Sequence, residues 1–425
     1  MKLVYVGQPY DRFFPPEQNS IGLIVYYTAL ELGRSIAITL YGKDHPTDIA
    51  PEGLPFSVRR LPVRGDRVLQ KLIRTLPRAA RWLGLADMAD DHLEYRSRVR
   101  RLLDQDGPTL VHVMNYWNWS RGLKPSGSSR RLVLEMQCEW LSQRDHKEVA
   151  RQLEVVDAVV AVSDHIATTF RQAFPDYPGI VATVGNGVDV DRFHPRDKPI
   201  EDEPGRKRRI LFVGRVSPEK GIHTLIEAFA EVAKRFDDVE LHIAGPHGAL
   251  SPDFITSLSP DPRVTALLRF YDKWGTCLYQ SHLEELIAKH GIGDRVRFLG
   301  NVPHRELVAT YQNADVVANA SLSESFGISV VEGMACGLPV VGTCIGGMCE
   351  SIVNGGTGML VEPERPIDLA DALTFILEDR ARAREMGREG RRRAVEHFSW
   401  QARADRLMAV YRRLDEGSGA SGQVG

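Results

Sequence analysis

Two carboxylates eight residues apart, Glu324 and Glu332, frame the stretch of this chain richest in possible chemistry. Residues 320–327 read A-S-L-S-E-S-F-G, a polar loop between a short apolar run at 315–318 and a helix expected over 329–335. A helix turns once per 3.6 residues, so a spacing of eight puts both carboxylates on roughly one face. The first-turn amides of Phe326, Gly327 and Ile328 are expected to be unpaired donors, suited to phosphate or a developing negative charge. Carboxylates in the same place would repel phosphate. Glu324 and Glu332 are therefore expected to contact hydroxyl groups of a sugar and a ribose.

The elements that must position these groups can be read around them. Gly337 and Pro339 end the helix, and residues 340–343 are an apolar strand. This is a strand, loop, helix, strand unit with its polar loop at the strand's carboxyl end, where open α/β sheets bind ligands. Other continuous apolar runs at 2–6, 109–113, 131–136, 158–162, 209–213 and 239–244 are expected to be buried parallel strands. Helices are expected over 23–32, 141–155, 164–174, 281–290, 366–378, 380–397 and 401–414. Residues 354–360 read as turn-rich.

Composition excludes several classes. The chain has 425 residues, a formal net charge of −2, 43% apolar and 26% charged residues, an ordinary soluble balance with no sign of a nucleic-acid partner. Five cysteines without a CxxC pair argue against a disulfide framework or zinc site, and Cys344 and Cys349 are expected to be buried free thiols. Residues 3–6 are too short for a secretory h-region, and no stretch approaches a membrane span, so the expected compartment is the cytoplasm. Residues 67–83 read as a basic amphipathic helix interrupted at Pro77. Such a helix can pack on a core, bound an acceptor pocket or lie on an anionic surface; peripheral membrane contact is the less favoured reading.

Residues 114–120, M-N-Y-W-N-W-S, follow the 109–113 strand. Rings that stack on carbon faces and amides that read hydroxyls suit a sugar or cyclitol. His112, Asn115, Tyr116 and Trp117 are the candidate acceptor-binding residues, and packing alone is the competing reading of the aromatics.

Glu324, Glu332 and the residues between them resemble the E-x7-E signature of retaining GT-B glycosyltransferases of the family 4 type. The resemblance runs from Lys2 to about Tyr411 and is strongest from Arg209 onward. It implies an α/β fold of two Rossmann-like domains with parallel sheets facing a cleft. The acceptor would be held at 1–195 and the nucleotide sugar at 209–398. A linker would lie at 196–208, a helix at 399–415 would return to the first domain, and 416–425 would be a disordered tail. Residues 214–221, G-R-V-S-P-E-K-G, resemble the family's phosphate motif. Gly214 would allow close approach, while Arg215 and Lys220 would neutralise the departing diphosphate. Gly22 matches the glycine whose amide approaches the donor. Residues 296–300 resemble the strand whose backbone, at Arg297, Phe298 and Leu299, reads the base. Residues 346–350 resemble G-G-x-P-E, with Cys349 in place of proline, and 186–189 the N-G-V-D turn. Gln137 stands where the family commonly has histidine; it can bind a hydroxyl but cannot take up a proton near neutral pH.

The resemblance further implies transfer of a hexose-type sugar from a nucleoside diphosphate donor, with retention, by front-face attack in which the leaving phosphate is the base. No metal or other cofactor is expected, and the D-x-D string at Asp189 and Asp191 is read as structural. Glu324, Arg215, Lys220 and Gln137 would be the catalytic residues. A small polar acceptor, such as an aminocyclitol or another natural-product intermediate, is the preferred partner. A lipid-linked or polysaccharide acceptor, and a binding protein that has lost turnover, are the alternatives. Residues 250–280 are longer than the expected connection and read as a lid or an oligomer contact.

Overall fold

The computed structural model describes residues 1–15, 18–63, 65–66, 92–125, 127–197, 205–248 and 250–419. The basic segment at 67–83 lies outside them. The chain divides into two compact units: residues 1–162, 167–184 and 403–425, and residues 163–166 with 185–402.

Among the described residues the first unit holds seven parallel strands: β1 (Lys2–Val6), β2 (Ala37–Lys43), β3 (Ser57–Leu61), β4 (Leu110–Met114), β5 (Arg131–Met136), β6 (Ala158–Ala161) and β7 (Ile180–Thr183), in the order β3-β2-β1-β4-β5-β6-β7. β4 and all of β1 beyond Lys2 are buried, as expected of central strands covered on both faces. The order reverses between β1 and β4, where Val4 faces Val111 and Val6 faces Val113. The loops after these two strands therefore open at the unit's topological switch point.

The second unit repeats the plan with β8 (Arg208–Val213), β9 (Val239–Ala244), β10 (Val296–Gly300), β11 (Val316–Asn319), β12 (Val340–Thr343) and β13 (Gly358–Val361), again all parallel, in the order β10-β9-β8-β11-β12-β13. Its switch point lies between β8 and β11, with Ile210 beside Val316 and Leu211 beside Val317. Ile210, Phe212, Leu225, Phe229, Leu241 and Ile243 are buried in one core, each such side chain contributing about 1.5–3 kcal/mol. Residues 250–280 belong to that core: Ile255, Val264, Leu267 and Phe270 are buried in it, while Trp274 stays exposed.

Several boundaries differ from the sequence reading. The first unit gives way to the second at 184/185, not 195, because 185–193 packs with the second unit. Val188 N–H donates to Phe398 O, and the Phe193 ring lies against Tyr311. The last helix, α1 (Trp400–Gly419), extends beyond 415 into the stretch expected to be disordered; its residues from Arg403 onward belong to the first unit. β7 and β13 were not expected. Both are edge strands whose residues are mostly half-buried, so neither shows the continuous apolar run of a central strand.

Candidate functional site

At the second unit's switch point two loops meet. Residues 214–221 leave β8 and residues 320–327 leave β11. The first presses on the second because residue 221 is glycine: φ is +63°, and a Cβ there would stand 1.9 Å from Ala320 O. Leu322 N–H donates to Glu219 O at 2.8 Å, locking the loops together. Lys220 Nζ thereby reaches Glu324 Oε2 at 2.8 Å, with side chains 20% and 16% exposed.

Burial works against the charge on each partner and is overcome in both. The Glu324 carboxylate and Glu219 hold Lys220 above its ordinary range. Lys220, together with the Phe326 and Gly327 amides, holds Glu324 below its own. Those two amides lie beside the Glu324 carboxylate. The helix begins at Ile328 with Gly327 as its N-cap. Val330 N–H already donates to Gly327 O, leaving Ile328 and Ser329 as the first-turn positions able to face an anion.

Arg215 donates through Nε to Ser217 Oγ at 3.3 Å and through a terminal nitrogen to Glu219 Oε1 at 3.2 Å. Its side chain is 40% exposed against 2% for Glu219. Arg215 and Lys220 thus lie in one two-cation, two-carboxylate cluster with Glu219 and Glu324, near neutral in net charge. Gly214 ends β8, its N–H donating to Ala244 O.

Glu332 sits on the same helix as Ile328 but is nearly sealed, at 5% exposure. Its Oε1 is 3.0 Å from His304 Nε2, and its Oε2 accepts from the Tyr311 hydroxyl at 2.8 Å. Both oxygens that were expected to face a ribose already have protein partners, and the sequence reading missed both partners. No motif marks His304 or Tyr311; they come from the segment between β10 and β11, 28 and 21 residues away from Glu332.

The stretch expected to read the base falls on β10, an edge strand paired with β9, and among the described residues its outer side has no strand partner. Arg297 is exposed. Phe298 packs against the core, 5.5 Å from the His247 ring. Leu299 lines a cavity of 270 Å³ with Leu211, His242 and Asn313, which neither Lys220 nor Glu324 lines.

In the first unit, the acceptor candidates separate into two groups. Tyr116 and Trp117 are half-buried at the carboxyl end of β4. The Tyr116 ring lies 4.1 Å from that of Trp119, tilted by 36°, and its hydroxyl donates to that of Tyr10, which is 56% exposed. Asn115 is buried in a left-handed turn (φ +59°), its Oδ1 accepting from Gln137 N–H at 2.8 Å. It joins the ends of β4 and β5. Gln137 is half-buried, and its Nε2 donates to Glu135 Oε1 at 2.5 Å. Glu135, an acceptor only, fixes which way that amide points.

His112 is corrected outright. It has no exposed surface; Nδ1 is 2.7 Å from the Tyr411 hydroxyl and Nε2 is 3.0 Å from Glu135 Oε2. Burial holds it below its ordinary range, with Glu135 opposing. It fastens the C-terminal helix to the sheet and cannot touch a ligand. Gly22 is explained by packing as well: its N–H donates to Asn19 Oδ1 at 2.9 Å, and a Cβ would stand 1.9 Å from Arg12 O. Asp189 Oδ1 accepts from Arg192 N–H, a turn contact.

One further residue at the first unit's switch point had no sequence signal. Asp11, in the loop after β1, is 3% exposed and accepts from Gln8 N–H at 2.7 Å and Asn19 Nδ2 at 3.0 Å. Burial outweighs these bonds and pushes its carboxyl up to about 7.

Comparison with known proteins gives two adjoining matches. Residues 22–192 match Glycosyltransferase Family 4, and residues 193–393 match Glycosyl transferases group 1. D-inositol 3-phosphate glycosyltransferase 2 of Catenulispora acidiphila is 33% identical over 276 residues, 62% of this chain and 58% of that protein. D-inositol 3-phosphate glycosyltransferase of Corynebacterium diphtheriae is 34% identical over 247 residues, 55% of this chain and 51% of that protein. The chain thus spans between half and two thirds of the length of these relatives. Among solved structures, sucrose-phosphate synthase of Thermosynechococcus elongatus aligns with a TM-score of 0.73 at 21% identity, over 98% of this chain and 100% of that one. Anabaena HepE, solved with UDP and glucose, aligns at 0.66 and 18%, over 97% and 99%.

Proposed function

We propose that this chain, which carries the family 4 and group 1 regions of a GT-B glycosyltransferase, moves a hexose-type sugar from a nucleoside diphosphate sugar to a small polar acceptor with retention at the anomeric carbon. The observation that carries this reading is the Lys220–Glu324 pair at the second unit's switch point, 2.8 Å apart and only partly buried. A diphosphate arriving beside Ile328 and Ser329 competes with Glu324 for Lys220 and with Glu219 for Arg215. Glu324, relieved of Lys220, is then free to accept from sugar hydroxyls. The bond between the anomeric carbon and the phosphate oxygen breaks as charge develops on that oxygen, and Lys220 and Arg215 stabilise it. The acceptor oxygen attacks the same face and passes its proton to the leaving phosphate. No metal takes part in this scheme. Glu332 supports the donor helix, and it reaches a ribose only if His304 or Tyr311 gives way.

A cyclitol-type acceptor is supported by the relatives named for inositol 3-phosphate and by Tyr116 and Trp117 at the carboxyl end of β4. Among the described residues no helix is long and apolar enough to cross a membrane.

Calorimetric titration with UDP, GDP, ADP and dTDP, with and without EDTA, tests the donor site. The expected result is binding of one nucleotide, indifferent to EDTA and lost in Lys220→Ala. Glu324→Ala should lower turnover more than nucleotide affinity. Binding of none of the four, or binding unchanged in Lys220→Ala, overturns the assignment.

A further inference from the structure

The loop after β12 carries two thiols that the reaction above does not use. Cys344 and Cys349 bound the sequence C-I-G-G-M-C and, contrary to the sequence expectation, both are exposed. Their sulfurs lie 2.8 Å apart. Ile345 N–H donates to Thr343 O and Met348 N–H to Ile345 O, folding the loop so that the two thiols face each other. Cys138 and Cys277 are half-buried and Cys336 is buried.

This loop rests on the segment that presents Glu324. Gly347 N–H donates to Glu324 O at 3.2 Å, and Ser351 Oγ donates to Phe326 O at 3.1 Å. A Cβ on Gly346 would stand 2.0 Å from Glu324 O, and one on Gly347 2.3 Å from Ser325 O. The glycines leave no slack, so a change in the loop is felt by the backbone of 324–326.

We propose that Cys344 and Cys349 form a reversible intrachain disulfide on exposure to hydrogen peroxide, and that closing it weakens donor binding through the backbone of Glu324. A disulfide needs its sulfurs about 2.05 Å apart, a short approach for side chains already facing each other. The thiolate of one of the two cysteines takes one peroxide oxygen as the O–O bond breaks, giving a sulfenic acid; the departing hydroxide leaves as water with the proton that the thiol gave up. The sulfur of the other cysteine then attacks the sulfenic sulfur. The S–O bond breaks, and the hydroxyl leaves as a second water with the second thiol's proton. Two thiols lose two electrons and one peroxide becomes two waters.

Disulfide formation stands on the loop geometry alone; its effect on the donor rests on the function proposed above. The full chain is treated with equimolar hydrogen peroxide, unfolded, alkylated, digested and weighed. The expected product is the peptide spanning 344–349 lacking two hydrogens, closed to alkylation, reopened by dithiothreitol and absent in Cys344→Ser and in Cys349→Ser. Both thiols remaining alkylatable, or separate over-oxidation, overturns the disulfide. Calorimetry with the four nucleoside diphosphates then compares the two states. The oxidised chain is expected to bind about tenfold more weakly, within the usual range of coupling between sites. Dithiothreitol should restore binding, and peroxide should leave Cys349→Ser unchanged. Equal binding in both states overturns the coupling; no binding even by the reduced chain overturns it together with the donor-site reading, while the mass result stands.

Discussion

Two ion pairs of similar length serve opposite ends. Arg403 and Glu135, in the first unit, meet at 2.7 Å with 1% and 0% of their side chains exposed. Lys220 and Glu324, in the second, meet at 2.8 Å with 20% and 16% exposed. The first pair is saturated: Arg403 also donates to Thr28 Oγ1 and Val184 O, and Glu135 also accepts from Gln137. The second lies on loops at a switch point, with a helix N-terminus beside it. A sealed pair can only hold the fold, whereas an open pair can exchange one partner for a ligand. Distance does not tell them apart; solvent access does.

The largest expected effect separates the pairs by stability. Glu135→Ala leaves Arg403 charged and buried, and should cost about 3–5 kcal/mol in urea unfolding. Glu324→Ala, which leaves Lys220 partly exposed and still beside Glu219, should cost less. Equal losses would erase the distinction. Next, Lys220→Ala should lower turnover by about 10²–10³-fold, the usual loss for a group that stabilises developing charge, with a melting temperature close to the parent's. A variant that merely unfolds would place this pair with the sealed one.

Acidity sharpens the contrast within the first unit. Despite burial, Arg403 and His112 hold Glu135 down at about 2. Its stabilisation is present above the unfolded carboxyl range and is lost as pH falls toward 2. Asp11, pushed up to about 7, has the opposite sign. Between about pH 4 and 7 the folded chain holds a proton that the unfolded chain has released, so stability falls as pH rises through this window. Asp11→Asn should flatten that slope by about 1 kcal/mol per pH unit, read from urea midpoints at pH 5 and 7.5. A constant offset between variant and parent would refute it. The smallest effect is expected at Glu332, where Tyr311→Phe removes the hydroxyl that donates to Glu332 Oε2 and to Ser329 O, a change of about 1–2 kcal/mol. Nucleotide affinity should change less than threefold if Glu332 only supports the helix, and more if it reaches the ribose.

Much of the fold was legible because central parallel strands are continuous apolar runs, as at 2–6 and 209–213. Lys220 and Glu324 stood out because each lies in a short local motif, but nothing in either motif announces that they pair. What was not legible depends on distant partners. His112 looked like a ligand residue because it is polar and near a strand's carboxyl end; the hydroxyl that seals it belongs to Tyr411, 299 residues later. Glu332 looked available because nothing nearby in sequence announces His304 or Tyr311. Cys344 and Cys349 were misjudged on type, since thiols are usually interior, while a glycine pair between them turns this loop outward.

The Tyr5–Tyr411 hydrogen bond spans 406 residues, and this has a consequence for synthesis. A ribosome adds roughly 5–20 residues per second, so the residues beyond 403 emerge about 20–80 s after Tyr5. Through that interval Glu135 has no Arg403, and His112 has no Tyr411. The second unit, almost entirely the contiguous stretch 185–402, can complete its core first. The unit that begins the chain is therefore the last to close, and its unfinished interior is the surface a chaperone would meet.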